Sequence, residues 1–179
     1  MSTITDLKTQ IHSVLRRNKY KVVLTPPMSI GIDNKLSLLC KGAEFPEKNI
    51  GAVEVSHMGR KYYLRGETTY NPTTTLTFYD DDNLNIRRFF DYWMNIIDDS
   101  RKTQDRKLSN VLVKSAFRTD LEVWQLDHNQ NNVYGYTYHD SFPISAGTIT
   151  YAGDEEASAV EFTVTFQYSE FSPIATVTE

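Results

Sequence analysis

At 179 residues, 40% apolar and 12% aromatic, the chain is sized for one domain with its own core, and that composition excludes a disordered protein. With 19 Lys and Arg against 23 Asp and Glu, the formal charge is −4 and there is no basic block for reading nucleic acid. The single cysteine, Cys40, excludes a disulfide framework and a multi-cysteine zinc site, and reads as a buried free thiol.

Met1 to Arg17 lacks the continuous apolar run of a signal peptide, and no stretch approaches the roughly 20 apolar residues that cross a bilayer. The expectation is a soluble chain, made in a cytoplasm, with no membrane partner. Within this segment Ile4, Leu7, Ile11, Val14 and Leu15 recur at spacings of three and four, which predicts a short amphipathic helix whose stripe lies on its own domain or on a neighbouring subunit. Tyr20 to Thr25 reads as a β-branched strand stopped by Pro26 and Pro27, with Leu36 to Lys41 as its hairpin partner across a turn at Gly31 to Lys35.

From Gly42 to Tyr70 the chain changes character. Gly42, Pro46, Gly51, Gly59 and Gly66 punctuate two β-like runs, Ala52 to His57 and Lys61 to Leu64, and the segment reads as a long arm. Across Thr73 to Tyr79, Leu76 and Phe78 alternate with Thr75 and Thr77, the pattern of a strand buried on one face.

Asp80, Asp81 and Asp82 then precede a helical stripe of Ile86, Phe89, Phe90, Trp93, Met94 and Ile97. Carboxylates accept hydrogen bonds from the free N–H groups of a first turn, so the segment predicts a helix over Leu84 to Asp98 followed by a charged loop, Asp99 to Lys107. Phe117 to Asp127 and Val133 to His139 form a hairpin around the polar cluster His128 to Asn132. Thr148 to Tyr151 reads as a short strand, Gly153 to Glu156 as a turn, and Val160 to Tyr168 alternates apolar Val160, Phe162, Val164, Phe166 and Tyr168 with Glu161, Thr163, Thr165 and Gln167. The sum is a mainly β domain, a sandwich or barrel with one flanking helix and a short N-terminal helix. Its threonine-rich faces are flat and polar, suited to meet water or to line a shared cavity.

Chemistry-bearing constellations are missing. His12, His57, His128 and His139 are scattered, with no i, i+4 pair beside a carboxylate, so neither a catalytic nor a zinc role is expected. The Asp80 to Asp82 run lacks the twelve-residue calcium-loop pattern and is better read as a helix cap. No phosphate loop, nucleophile elbow or paired acids stand in a supporting context, and the Gly59-Arg60-Lys61 spot reads as a solvated turn. The expectation is no catalytic residue, no metal and no cofactor.

The run CKGAEFPEKNIGAVEVSHMGRKYYLRGETTYNPTTTLTFYDDDNLNIRRFFDYW, Cys40 to Trp93, resembles the tail tube proteins of contractile-tailed bacteriophages, a family related to type VI secretion tubes. Cys40, Lys41, Pro46, the Arg60-Lys61 pair, Gly66, Thr69, Thr75, Thr77, Asp80, Phe90 and Trp93 follow that family's order. The closing run AVEFTVTFQYSEF resembles its aromatic-ended last strand. The segment before Tyr20 and the tail after Phe171 (residues 171–179) depart from the family.

The resemblance implies a single tail-tube domain, in which hexameric rings join their sheets into one barrel and stack inside a sheath, with DNA leaving through the lumen without specific binding. The arm, with Phe45, Pro46, Val53, Val55, Arg60, Tyr62 and Tyr63, would reach the adjoining ring. Ile86, Phe89, Phe90, Trp93 and Ile97 would form the core helix. Thr75, Thr77, Glu161, Thr163, Thr165 and Gln167 would face the lumen or a ring edge. Partners would be the chain itself, a sheath protein, a tape-measure protein and baseplate proteins, in a virion tail assembled in the host cytoplasm. The same features suit a type VI or other injection-system tube or a baseplate tube initiator, and, outside this class, a small β-barrel ligand carrier with some of its 11 tyrosines lining a pocket.

Overall fold

The computed structural model describes residues 4, 14–25, 35–103, 117–151 and 159–175. Of the expected N-terminal helix, Ile4 is helical, residues 14–17 are not, and the remainder lies outside the described residues, as do residues 31–34 of the turn expected at Gly31 to Lys35, whose Lys35 is helical, and the turn expected at Gly153 to Glu156. Within these bounds the chain is mainly β, with nine strands and two helices.

Seven strands make one folded sheet. Strand β1 (Tyr20–Leu24) pairs with β6 (Thr119–Leu126), β6 with the first part of β7 (Asn132–Ala146), and β9 (Glu170–Ala175) takes the other edge of that part. The second part of β7, from Phe142, pairs instead with β8 (Glu161–Gln167), which pairs with β5 (Thr73–Tyr79) and, through it, β2 (Cys40–Gly42). The changeover is a bulge. His139 and Asp140 together oppose Asp120, Asp140 has φ +56°, and the fully buried Ser141 hydroxyl donates to the Tyr138 carbonyl at 3.0 Å. An extra residue of this kind bends a strand and lets it serve two layers.

The layers close over one core. Val22, Leu121, Val123 and Tyr138 come from one layer and Leu76, Phe78, Phe162, Val164 and Phe166 from the other, all almost fully buried. Helix α2 (Asn85–Thr103) adds Ile86, Phe90 and Trp93, with Phe89 and Ile97 partly buried beside them. Trp93 stacks on Phe90, meets Phe166 edge-on at 6.0 Å, and donates its indole N–H to the Phe117 carbonyl at 2.8 Å. The helix starts where the carboxylates predict. Asp80 accepts from the N–H groups of Ile86 and Arg87 at 3.0 Å each, and Asp81 from that of Asn85 at 2.9 Å.

Four expectations need correction. Leu36 to Lys41 is not the hairpin partner of β1. Lys35–Leu39 is a short helix, α1, whose Leu36 and Leu39 turn inward while Leu38 is 82% exposed, a three-residue spacing that a strand cannot give. Helix α2 runs on to Thr103 because neither Gly nor Pro stops it, so the loop expected from Asp99 begins as helix, and residues 104–107 lie outside the described set. Thr148 to Tyr151 is irregular, its place in the sheet being taken by the extension of β7 to Ala146. The segment taken as a tail from Phe171 begins inside β9, where Phe171 packs on Tyr70, Tyr136 and Tyr168 and Pro173, lacking an N–H, sits on an edge strand.

Candidate functional site

The arm is a two-stranded ribbon of β3 (Lys48–His57) and β4 (Arg60–Tyr70), a sheet of its own. Its tip is a two-residue turn, Met58 at φ +49° and Gly59 at φ +73°, the pair of left-handed conformations that matches the twist of a hairpin. Midway, Gly66 and Glu67 oppose Gly51. A Cβ on Gly66 would lie 3.0 Å from the Gly51 carbonyl, so a side chain there would push the two strands of the bulge apart by a few tenths of an ångström. Every residue of β3 is exposed.

The base of the ribbon is fastened by aromatics. Phe45 meets Tyr136 edge-on at 5.1 Å, and the Tyr138 hydroxyl donates to the Glu44 carbonyl at 2.6 Å. On the returning strand Tyr70 stacks on Tyr168, meets Phe171 at 5.5 Å, and donates to the Ser169 carbonyl at 2.7 Å. Phe45 and Pro46 thus belong to the base, beside a cleft of about 390 Å³, while Val53, Val55, Arg60, Tyr62 and Tyr63 lie on the ribbon. Tyr62 is opposite Val55 and Tyr63 opposite Glu54, so the two tyrosines face opposite ways.

The second surface is the outer face of β5 and β8. Register places Thr75 opposite Thr165, Thr77 opposite Thr163, Tyr79 opposite Glu161 and Thr73 opposite Gln167. All six positions singled out on these strands therefore share one face, while Leu76, Phe78, Phe162, Val164 and Phe166 fill the other. Its Glu161 carboxylate is paired with Lys41, whose ammonium lies 5.2 Å from the Tyr79 ring centre and is pushed up from its ordinary value chiefly by the Glu161 hydrogen bond. The face is thus polar with its charge internally balanced. Gly147 borders it, donating to the Thr163 carbonyl at 2.7 Å.

Among the described residues no group of three or more His, Cys, Asp or Glu is placed to hold a metal, and no described helix is long and apolar enough to cross a membrane. His139 is hydrogen-bonded to Ser172 at 2.8 Å, with Asp120 3.5 Å from its other nitrogen. Cys40 is a buried free thiol, pushed up to about 11 mainly by burial. The centre, where a ligand carrier would hold its cargo, is occupied by Trp93, Tyr138, Phe78, Phe90 and Phe166, each under 2% exposed.

This fold, a folded β sheet with a helix on its core, is shared with chains of contractile injection systems. A chain of the anti-feeding prophage tube-terminating cap superposes with TM-score 0.61 at 11% identity, covering 91% of this chain and 92% of that one. Chains of the extracellular contractile injection system PVC superpose similarly, one from the extended sheath–tube complex (0.59, 8% identity, 98% and 100% covered) and one from the sheath/tube terminator (0.60, 11%, 90% and 97%). No curated protein sequence matches the chain. Residues 15–173 match the family described as phage tail tube protein, and the chain belongs to that family.

Proposed function

We propose that the chain is the structural subunit of a phage tail tube, joining copies of itself side by side into hexameric rings and ring upon ring into a hollow cylinder. The observation that carries this reading is the exposed ribbon, 10 residues in β3 and 11 in β4, on a chain of the tail tube family. A lone two-stranded ribbon is marginal in water and is stabilised by a third surface. In the tube that surface is the adjoining ring, reached by the ribbon that carries Val53, Val55, Arg60, Tyr62 and Tyr63, with Phe45 and Pro46 setting the base.

Within a ring, the layer β2-β5-β8 with the second part of β7 has, among the described residues, open edges at β2 and at β7. Pairing these edges between copies removes the hazard of exposed strand edges and makes one closed barrel. Its threonine face, with Thr75, Thr77, Glu161, Thr163, Thr165 and Gln167, then lines the lumen. A polar wall without free cationic side chains, on a subunit of charge −4, lets DNA pass without gripping it. The role is structural: no catalytic step and no cofactor are involved. Sheath, tape-measure and baseplate proteins are the other partners, in a virion tail assembled in the host cytoplasm.

The related reading, a tube of an injection particle or a tube initiator, is favoured by the likeness to the prophage and PVC chains, which supports the fold they share. Electron microscopy of the purified protein tests the class: rings or hollow filaments support it, and a monodisperse monomer under all conditions overturns it. Packaged DNA or its absence in particles carrying this tube separates the two readings.

A further inference from the structure

Beyond its glycine bulge the arm is different front and back. On one face Val53 stands opposite Leu64 and Val55 opposite Tyr62, and these four side chains are exposed by 52%, 58%, 41% and 52% in that order. On the other face Glu54 stands opposite Tyr63 and Ser56 opposite Lys61. That face is satisfied by its own contacts: Lys61 Nζ lies 2.8 Å from Glu54 Oε1, and the Tyr63 hydroxyl donates to Glu54 Oε2 at 3.4 Å. A contiguous apolar face that none of the described residues covers marks an interaction surface.

Charge indicates what covers it. Of the 19 basic and 23 acidic residues, the ribbon holds four (Lys48, Arg60, Lys61, Arg65) and two (Glu54, Glu67), leaving 15 and 21 elsewhere. A ribbon of +2 therefore projects from a remainder of −6. Two such remainders repel one another, and the ribbon of one is the part attracted to the body of the next. Nucleic acid suits the face poorly, because phosphate contacts need several cationic side chains, whereas this face has valine, leucine and tyrosine with Arg60, opposite His57 near the tip, as its one Lys or Arg.

We propose that the arm docks on the body of a second copy of this chain through the Val53, Val55, Tyr62 and Leu64 face alone, with the opposite charges of ribbon and body steering the encounter. The proposal rests on the arm being the element that joins rings. It adds which face is buried, assigns Tyr63 to the solvent side, and makes tube growth salt-sensitive.

Adjacent residues on opposite faces give the test. In the full-length protein Tyr62→Ser should lose filaments by electron microscopy while Tyr63→Ser keeps them, and Val55→Glu should lose them while Ser56→Glu, adding the same charge, keeps them. The serine pair removes surface without adding charge, so an unfolded ribbon in the glutamate variants does not decide the outcome. Elongation followed by light scattering should slow severalfold between about 0.05 M and about 0.5 M salt. If both members of each pair behave alike, or growth accelerates with salt, one-faced steered docking is wrong. If Tyr62→Ser keeps filaments but loses an affinity for duplex DNA, the face belongs to nucleic acid and the proposal also falls. A shortened variant joining Lys48 to Tyr70, which are register partners, through an Asn-Gly turn tests the underlying reading separately. Filaments from that variant would remove the arm from ring stacking altogether.

Discussion

The core around α2 and the arm draw on the same stock of aromatic and β-branched residues and use it in opposite ways. Phe90 and Trp93 are fully buried, each touching several rings, whereas Tyr62, Tyr63 and Leu64 are more than half exposed. In the core, hydrophobic burial of roughly 25 cal/mol per Å² drives the fold and the backbone bonds follow. In the ribbon the backbone ladder and one ion pair hold the shape while the side chains remain unspent. If the proposed assembly role of the arm holds, the difference teaches where a small subunit keeps assembly surface: on an element whose side chains are not committed to the core.

That contrast can be broken by mutation. The largest effect is expected from Trp93→Ala, which empties the centre of the core and orphans the Phe117 carbonyl; it should cost about 3 to 5 kcal/mol in urea unfolding, and a loss below about 1 kcal/mol would mean that α2 is not the keystone. Gly135→Ala comes next. Its Cβ would sit 2.7 Å from the Val123 carbonyl and 2.9 Å from the Trp124 ring, so overpacking should cost about 1 to 3 kcal/mol, and an unchanged denaturation midpoint would contradict the close packing of β6 on β7. Asp80→Ala removes the carboxylate that caps Ile86 and Arg87 and should lower stability by about 1 kcal/mol, with Asp80→Asn recovering part of it. The smallest effect on folding should come from the shortened arm, whose thermal midpoint should stay within about 2 °C of the parent; a drop of about 10 °C would show that the ribbon is part of the cooperative unit after all.

What the sequence makes legible follows the same division. Asp80 and the stripe from Ile86 to Ile97 announce a helix because a cap and a 3.6-residue period are local signals. The alternations of Thr73 to Tyr79 and Val160 to Tyr168 reveal two-faced strands, and their exact register merely aligns threonine with threonine. Pairing is where local signals stop. Tyr20 finds Gln125 rather than a neighbour in sequence, because the partner is chosen by which apolar faces share the core. Leu36, Leu39 and Cys40 fit a helix turn as readily as a strand when five residues are all the evidence. On the arm, glycine punctuation gives its extent, but the facing of Tyr62 and Tyr63 depends on the turn being Met58-Gly59, one residue of slip exchanging the two.

Strand β7 gives the subunit a mechanical character. Because its first part belongs to one layer and its second to the other, the layers are joined by the peptide backbone itself at Asp140 and Ser141. A force that would slide one layer over the other is resisted along covalent bonds and not by side-chain friction alone. A force that flexes the sandwich meets, at this junction, the soft dihedrals of the bulge opposite Asp120. The subunit is in consequence stiff in shear and compliant in bending, the combination that lets a thin-walled object curve without coming apart.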